Sequence, residues 1–257
     1  MDSSRRVIIM AIERVPTGIP GFDELCEGGL LRDRTYLVSG TSGSGKTIFA
    51  MQYLINGIKM FNEPGIFVAT EERPQLLREH FSVFGWELEK YEDENMLAIV
   101  DATSTKIGLP SDEKYIDVRP FDTRSLIDQM ITIQDEIGAR RAALDSTTAI
   151  GFSIQDPSKF RVELLKISTT MEVLGLTSIF TCEIVDTGGD RISRFGVENF
   201  VTEGTIVLYY TRSENVRLRS LEIFKMRGSN HSKKIHPFEI TENGIVVHSR
   251  EEVYAGI

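Results

Sequence analysis

Gly40-Thr41-Ser42-Gly43-Ser44-Gly45-Lys46-Thr47 is the stretch from which this sequence is best read. Three glycines in eight residues let successive backbone N–H groups turn inward without Cβ clashes, and a lysine and a threonine follow at the spacing of a phosphate-binding loop. The flanks agree. Residues 35–39 are a short β-rich run, and residues 48–60 carry helix formers, so the loop joins a strand to a helix. In such a loop Lys46 pairs with the β- and γ-phosphates of a nucleotide, the Thr47 hydroxyl ligates Mg²⁺, and the helix offers its positive N-terminal end. The alternative, a glycine-rich surface turn, does not account for that context.

Outward from the loop, residues 65–70 form a second buried-type strand, and Pro74 opens a helix to about residue 84 with Leu76, Leu77 and Phe81 on one face. Strand candidates follow at 96–100, 141–144 and 176–181, separated by helical patterns at 122–137 and 157–174. This alternation predicts an α/β fold, a mostly parallel twisted sheet with helices on both faces. After Cys182 the pattern changes. Residues 205–211 and 216–226 read as adjacent strands, and 235–240 with 245–248 as a terminal hairpin, giving the sheet an antiparallel edge. Residues 103–121 and 185–199 lack periodicity and read as loops. No second phosphate loop, internal repeat or low-complexity linker is present, so one domain over residues 1–257 is expected. Residues 1–9 are set aside as an extension that can be disordered, since Met10 could equally be the start.

With 41% hydrophobic and 26% charged residues in 257, the chain can bury a sizeable core. Its net charge of −9 repels phosphate backbones, which disfavours general nucleic-acid binding. Cys26 and Cys182 form neither a disulfide framework nor a metal spacing, and the four histidines show no zinc pattern. The six apolar residues after Arg5-Arg6 are too few for a signal segment, so a cytoplasmic protein outside the membrane is expected.

Three further groups carry chemistry. A carboxylate that holds the water shell of Mg²⁺ should end an apolar strand near the loop. Asp101 and Asp145 compete for that place, and hydrophobicity favours Asp101. Glu71-Glu72 ends the second strand, at the sheet edge where ligands bind in open α/β sheets, and only one of the two can face a site as general base. Lys225 and Arg227 share one face of a strand, where they could stabilise a transferring phosphoryl group or simply protect a solvated edge.

Together these pieces resemble the KaiC-like branch of RecA-type P-loop ATPases across nearly the whole chain. The resemblance rests on Val15-Pro16-Thr17-Gly18-Ile19-Pro20-Gly21-Phe22-Asp23-Glu24-Leu25 with Gly28-Gly29, the phosphate loop, Glu71-Glu72 with Pro74, Leu144-Asp145-Ser146, Gly196-Val197-Glu198-Asn199-Phe200-Val201, and residues 225–233. It implies a RecA-like core in a homohexameric ring, with ATP or ADP at each interface. Thr41, Ser42, Gly43, Ser44, Gly45, Lys46, Thr47 and Ile48 would then hold the nucleotide, Thr47 and Asp145 the Mg²⁺, and Glu71 with Glu72 beside it the base position. Lys225 and Arg227 would reach the γ-phosphate of the neighbouring subunit, and Ser229, His231 and Lys233 would line the same nucleotide. Phe84 would fall near the adenine, and residues 185–199 would face the central pore. The family's phosphorylated Ser-Thr pair aligns with Asn199 and Phe200, so clock-type autokinase activity is not expected. Two other outcomes are compatible with a RecA-type core: a DNA-dependent motor, for which only Arg191 and Arg194 speak, and a nucleotide-dependent scaffold for an unidentified protein partner.

Overall fold

The structure is a computed structural model in which residues 13–117, 119, 122–185 and 191–253 are described. The strands are β1 (Arg14–Val15), β2 (Leu30–Leu31), β3 (Thr35–Gly40), β4 (Gly65–Ala69), β5 (Leu97–Asp101), β6 (Tyr115–Ile116), β7 (Arg141–Asp145), β8 (Thr177–Glu183), β9 (Gly204–Ser213), β10 (Val216–Met226), β11 (His236–Thr241) and β12 (Gly244–Val247). The helices are α1 (Phe22–Leu25), α2 (Lys46–Phe61), α3 (Pro74–Ser82), α4 (Leu88–Asp93), α5 (Thr123–Ile137), α6 (Thr147–Ile154), α7 (Pro157–Val173) and α8 (Glu198–Val201). Among the described residues ten strands make one sheet in the order β12-β11-β10-β9-β3-β8-β7-β4-β5-β6. From β9 through β6 the neighbours are parallel, while β10, β11 and β12 add the antiparallel edge.

The central strands are buried along nearly their whole length because both faces are covered. Within β4, Phe67 and Ala69 enter one core layer with α2 and α3, and Ile66 and Val68 enter the other with α5 and α7. Alternating Cβ directions thus split one apolar run between two layers. Helix starts follow local chemistry. Asp122 caps α5 by accepting from Arg124 N, and Asp156 caps α7 from Ser158 N and Lys159 N ahead of Pro157. The terminal hairpin lies on α2 through Gln52, which donates to Ile245 O (3.1 Å) and accepts from Ile245 N (2.6 Å). The motif around Pro16 to Leu25 has its own reason: the Asp23 carboxylate accepts from Thr17 N, Thr17 Oγ1 and Gly18 N at 2.7–2.9 Å and closes the turn.

Where the expected loops are described, they hold short regular pieces. Residues 103–117 include a 3-10 turn at Thr105–Ile107 and strand β6, and α8 begins at Glu198. Residues 1–9, residues 118 and 120–121 of the first loop, and Gly188-Gly189 of the second lie outside the described residues.

Candidate active site

The parallel strands present their carboxyl ends together, and the chemistry-bearing residues collect there. A cleft of about 460 Å³ is lined by Ser42, Gly43, Gly45, Lys46, Thr47 and Ile48 of the loop and the start of α2, by Glu71, Asp145, Ser146 and Glu183 from three neighbouring strand ends, and by Arg219 and Ile240. Strand order decides between the two candidate aspartates. Asp145 ends β7, two strands from β3 and so roughly 10 Å across the sheet, whereas Asp101 ends β5, four strands and roughly 19 Å away. Asp101 is instead committed to its own loop, accepting from Thr103 N, Ser104 N and Ser111 Oγ. Burial alone would raise its pKa, but those hydrogen bonds outweigh burial and hold it below the ordinary carboxylate value.

Beyond the sheet, β4 and β7 are stitched together. Thr70 N donates to Asp145 O (2.8 Å), Thr70 Oγ1 to Ser146 O (2.9 Å), and Ser146 N to Thr70 Oγ1 (2.7 Å). This brings the residue after Thr70 over the cleft, where Ser146 Oγ donates to Glu71 Oε1 at 2.5 Å. The next residue turns away: Glu72 pairs with His80 Nδ1 at 2.6 Å and does not line the cleft. Of these two, Glu71 is therefore the carboxylate that faces the cleft.

The loop fits a triphosphate with a divalent cation. Gly43 (φ +76°) and Gly45 (φ +103°) adopt left-handed conformations that favour glycine, and a Cβ on Gly45 would lie 3.2 Å from Ile240 Cδ1. Ser44 Oγ is buried with no hydrogen-bond partner among the described residues. Lys46 Nζ donates to Thr41 O (2.9 Å), curling back over the loop. Asp145 accepts from Thr181 Oγ1 and is also hydrogen-bonded to Thr47. Among the described residues no group of three or more His, Cys, Asp or Glu could hold a metal alone.

Burial governs the two charged groups at the centre of the cleft. Burial, with a smaller push from Glu71, raises the Asp145 pKa against the pull of Thr181, Thr47 and Lys46. Burial likewise lowers that of Lys46, opposed by Asp145, Glu183, Cys182 and Glu71.

Residues 225–233 lie elsewhere. Met226 pairs with Gly204, which pairs with Tyr36 near the start of β3, whereas the loop follows Gly40 at its end. The two are separated by roughly 13 Å along β3 and about 10 Å across two strands. Lys225 Nζ donates to the carbonyls of Asn199 and Thr202, and Arg227 pairs with Glu203 at 3.3 Å. Burial and the nearby Arg227 lower the Lys225 pKa. Ser229 Oγ accepts from Arg14 (2.7 Å), and His231 Nε2 meets Lys233 Nζ at 2.9 Å. Phe84 stacks on Trp86 (5.0 Å) and is not among the cleft residues.

A model of the KaiC ATPase family matches residues 15–252. The chain belongs to that family. It is 41% identical over 238 residues to UPF0273 protein MJ1359 of Methanocaldococcus jannaschii, covering 92% of this chain and 97% of that protein. It is 39% identical over 240 residues to the circadian clock oscillator protein KaiC of Prochlorococcus marinus, covering 93% of this chain but 46% of that protein, so it spans about half of the clock protein. The solved structure of KaiC-like protein PH0186 from Pyrococcus horikoshii superposes with a TM-score of 0.79 at 37% identity, over 93% of this chain and all of that one. Among the described residues no helix is long and apolar enough to cross a membrane.

Several cleft residues of this KaiC-family chain escape a reading by sequence. Glu183 ends β8 next to the loop, and the rule that ligands bind at strand carboxyl ends would have found it. Ser146 sits beside an already suspected aspartate. Arg219 gives no local signal: it reaches the cleft only because β10 folds back along β9, placing its guanidinium over the Tyr210 ring (4.2 Å) and against Gly43 O (3.1 Å).

Proposed function

We propose that this chain hydrolyses Mg-ATP at interfaces between copies of itself in a homohexameric ring, as one ATPase domain working in the cytoplasm in a signalling or regulatory role. The observation that carries the reading is the placement of the phosphate loop and residues 225–233 at opposite ends of the sheet. Lys225 and Arg227 lie roughly 13 Å along the sheet from their own subunit's loop, which supports the reading that these cations serve a nucleotide held by a neighbour. Within the cleft, the backbone of residues 41–45 and Lys46 bind the phosphates, and Thr47 with Asp145 holds the cation. Glu71, oriented by Ser146, accepts the proton of the attacking water. The cation, when bound, would supply neutralisation of the nucleotide's phosphate charge. Across the interface Lys225 and Arg227 stabilise charge that develops on the transferring phosphoryl group, and Ser229, His231 and Lys233 line the nucleotide.

Turnover of wild type, Glu71→Gln and Lys46→Ala tests the cleft assignment. Glu71→Gln should keep ATP affinity and lose a factor of about 10²–10⁴ in kcat, and Lys46→Ala should lose binding. Equal rates in all three would remove both roles. Rings co-expressed from Arg227→Ala and Lys46→Ala subunits should regain activity, because some interfaces then join an intact loop to an intact Arg227. Absence of any recovery would count against Arg227 acting across the interface.

A further inference from the structure

The segment that joins β10 to β11 is fixed by two side chains that have no part in the scheme above. His236 opens β11, is 3% exposed, and is held in register opposite Leu221 of β10. Its Nδ1 lies 2.7 Å from Glu251 O and its Nε2 lies 2.7 Å from Ser232 Oγ. A carbonyl oxygen only accepts, so Nδ1 carries a proton, and in the tautomer with the proton on Nδ1 the Ser232 hydroxyl donates to Nε2. Ser232 in turn fixes its neighbours. Its backbone N–H donates to Leu25 O (2.7 Å), its Oγ accepts from Lys234 N (3.3 Å), and its carbonyl accepts from His231 Nδ1 (2.8 Å). That last bond sets the His231 tautomer as well, leaving His231 Nε2 to accept from the Lys233 ammonium at 2.9 Å. The orientations of His231 and Lys233 are therefore set at the Ser232 carbonyl, on a residue whose backbone is held by Leu25 O and whose hydroxyl is held by the His236 ring that Glu251 O anchors.

We propose that Ser232 and His236 are positioning residues, which hold His231 and Lys233 in the orientation that meets the neighbouring subunit's nucleotide. The inference rests on the interface reading above. Lys225 and Arg227 stand on or next to strand β10 and do not depend on these bonds, so loosening them weakens nucleotide binding more than the chemical step.

The experiment compares wild type with Ser232→Ala and His236→Asn. Asn at 236 retains a donor near Nδ1 and removes the acceptor at Nε2. Each variant should raise the KM for ATP about tenfold, the loss expected of one buried hydrogen bond, with kcat within about threefold of wild type. The double variant should be no worse than either single one, because both break one link. His236→Asn co-expressed with Lys46→Ala should recover the wild-type KM at interfaces where an intact loop faces an intact segment. Arg227→Ala co-expressed with Lys46→Ala serves as control. Unchanged KM in both single variants would overturn the proposal. So would a KM defect that mixing does not repair while the Arg227 control recovers, since that pattern means that His236 acts only within its own subunit. Failure of the control itself would instead overturn the interface reading, and this inference with it.

Discussion

Gly57→Ala sets two effects of opposite sign against each other. Gly57 lies inside α2, where exchanging glycine for alanine stabilises a helix by about 1 kcal/mol. A Cβ there, however, would sit 2.5 Å from Cδ and Nε of Arg141 and 2.9 Å from Cζ. Arginine side chains usually yield, but this one is completely buried and tied at each nitrogen: Nε to Glu63 (2.7 Å), one terminal nitrogen to Tyr53 O (3.0 Å), the other to Pro16 O (2.9 Å). It also lies over the rings of Tyr53 (4.6 Å) and Phe61 (5.1 Å). Displacing a buried, hydrogen-bonded charge costs about 3–5 kcal/mol, so the variant should lose about 2–4 kcal/mol net. For a chain of this size that lowers Tm by roughly 5–15 °C. Thermal or urea unfolding measures it directly. Because Arg141 opens the strand that carries Asp145 and Gly57 lies on the helix that begins at Lys46, ATP affinity should fall as well. Arg141→Met introduced with Gly57→Ala should cost less than the sum of the two single changes, because the clash is then gone. A Gly57→Ala protein as stable as wild type would show that the Arg141 network is not rigid, and the reasoning would fail.

Asp145→Asn should stabilise the nucleotide-free protein while abolishing Mg-ATP binding. A carboxyl whose pKa is raised on folding contributes stability below its unfolded value near 3.9 and loses it as pH rises through the folded pKa. The gain from Asn should therefore be largest at pH 7 and shrink toward pH 4, as melts at the two pH values would record; a gain that grows on acidification contradicts the assignment. Glu72→Gln should leave kcat within about threefold, in contrast to Glu71→Gln, since it touches His80 and not the cleft; surface pairs of this kind contribute roughly 0–1 kcal/mol. Ser146→Ala should reduce kcat by about tenfold with little change in KM, because it frees the Glu71 carboxylate from the 2.5 Å hydrogen bond that orients it.

Most of the fold is legible because buried parallel strands read as apolar runs: residues 65–69 and 97–101 are buried along their whole length. Helix α6 is not legible. Its Thr-Thr-Ala-Ile-Gly-Phe-Ser-Ile is poor in helix formers, and tertiary contacts hold it, with Thr147 Oγ1 donating to Thr181 O (2.9 Å) and Ile150 in the core. Lateral strand order is equally invisible locally. Hydrophobicity favours Asp101 over Asp145 because it reports burial, and both strands are buried; what separates the two is the path of the crossovers, which no short window contains. Strand alternation says that one of Glu71 and Glu72 faces the cleft, but choosing which depends on the Thr70–Ser146 stitch between two distant strands.

In the proposed scheme the distance between the phosphate loop and Lys225, laid along a single sheet, gives each molecule a giving end and a receiving end. In the proposed scheme a solitary molecule is catalytically incomplete, however well folded. Turnover per chain then becomes a function of how many chains are present, falling away on dilution below the assembly threshold, and the abundance of the protein itself becomes the first input that its activity reads.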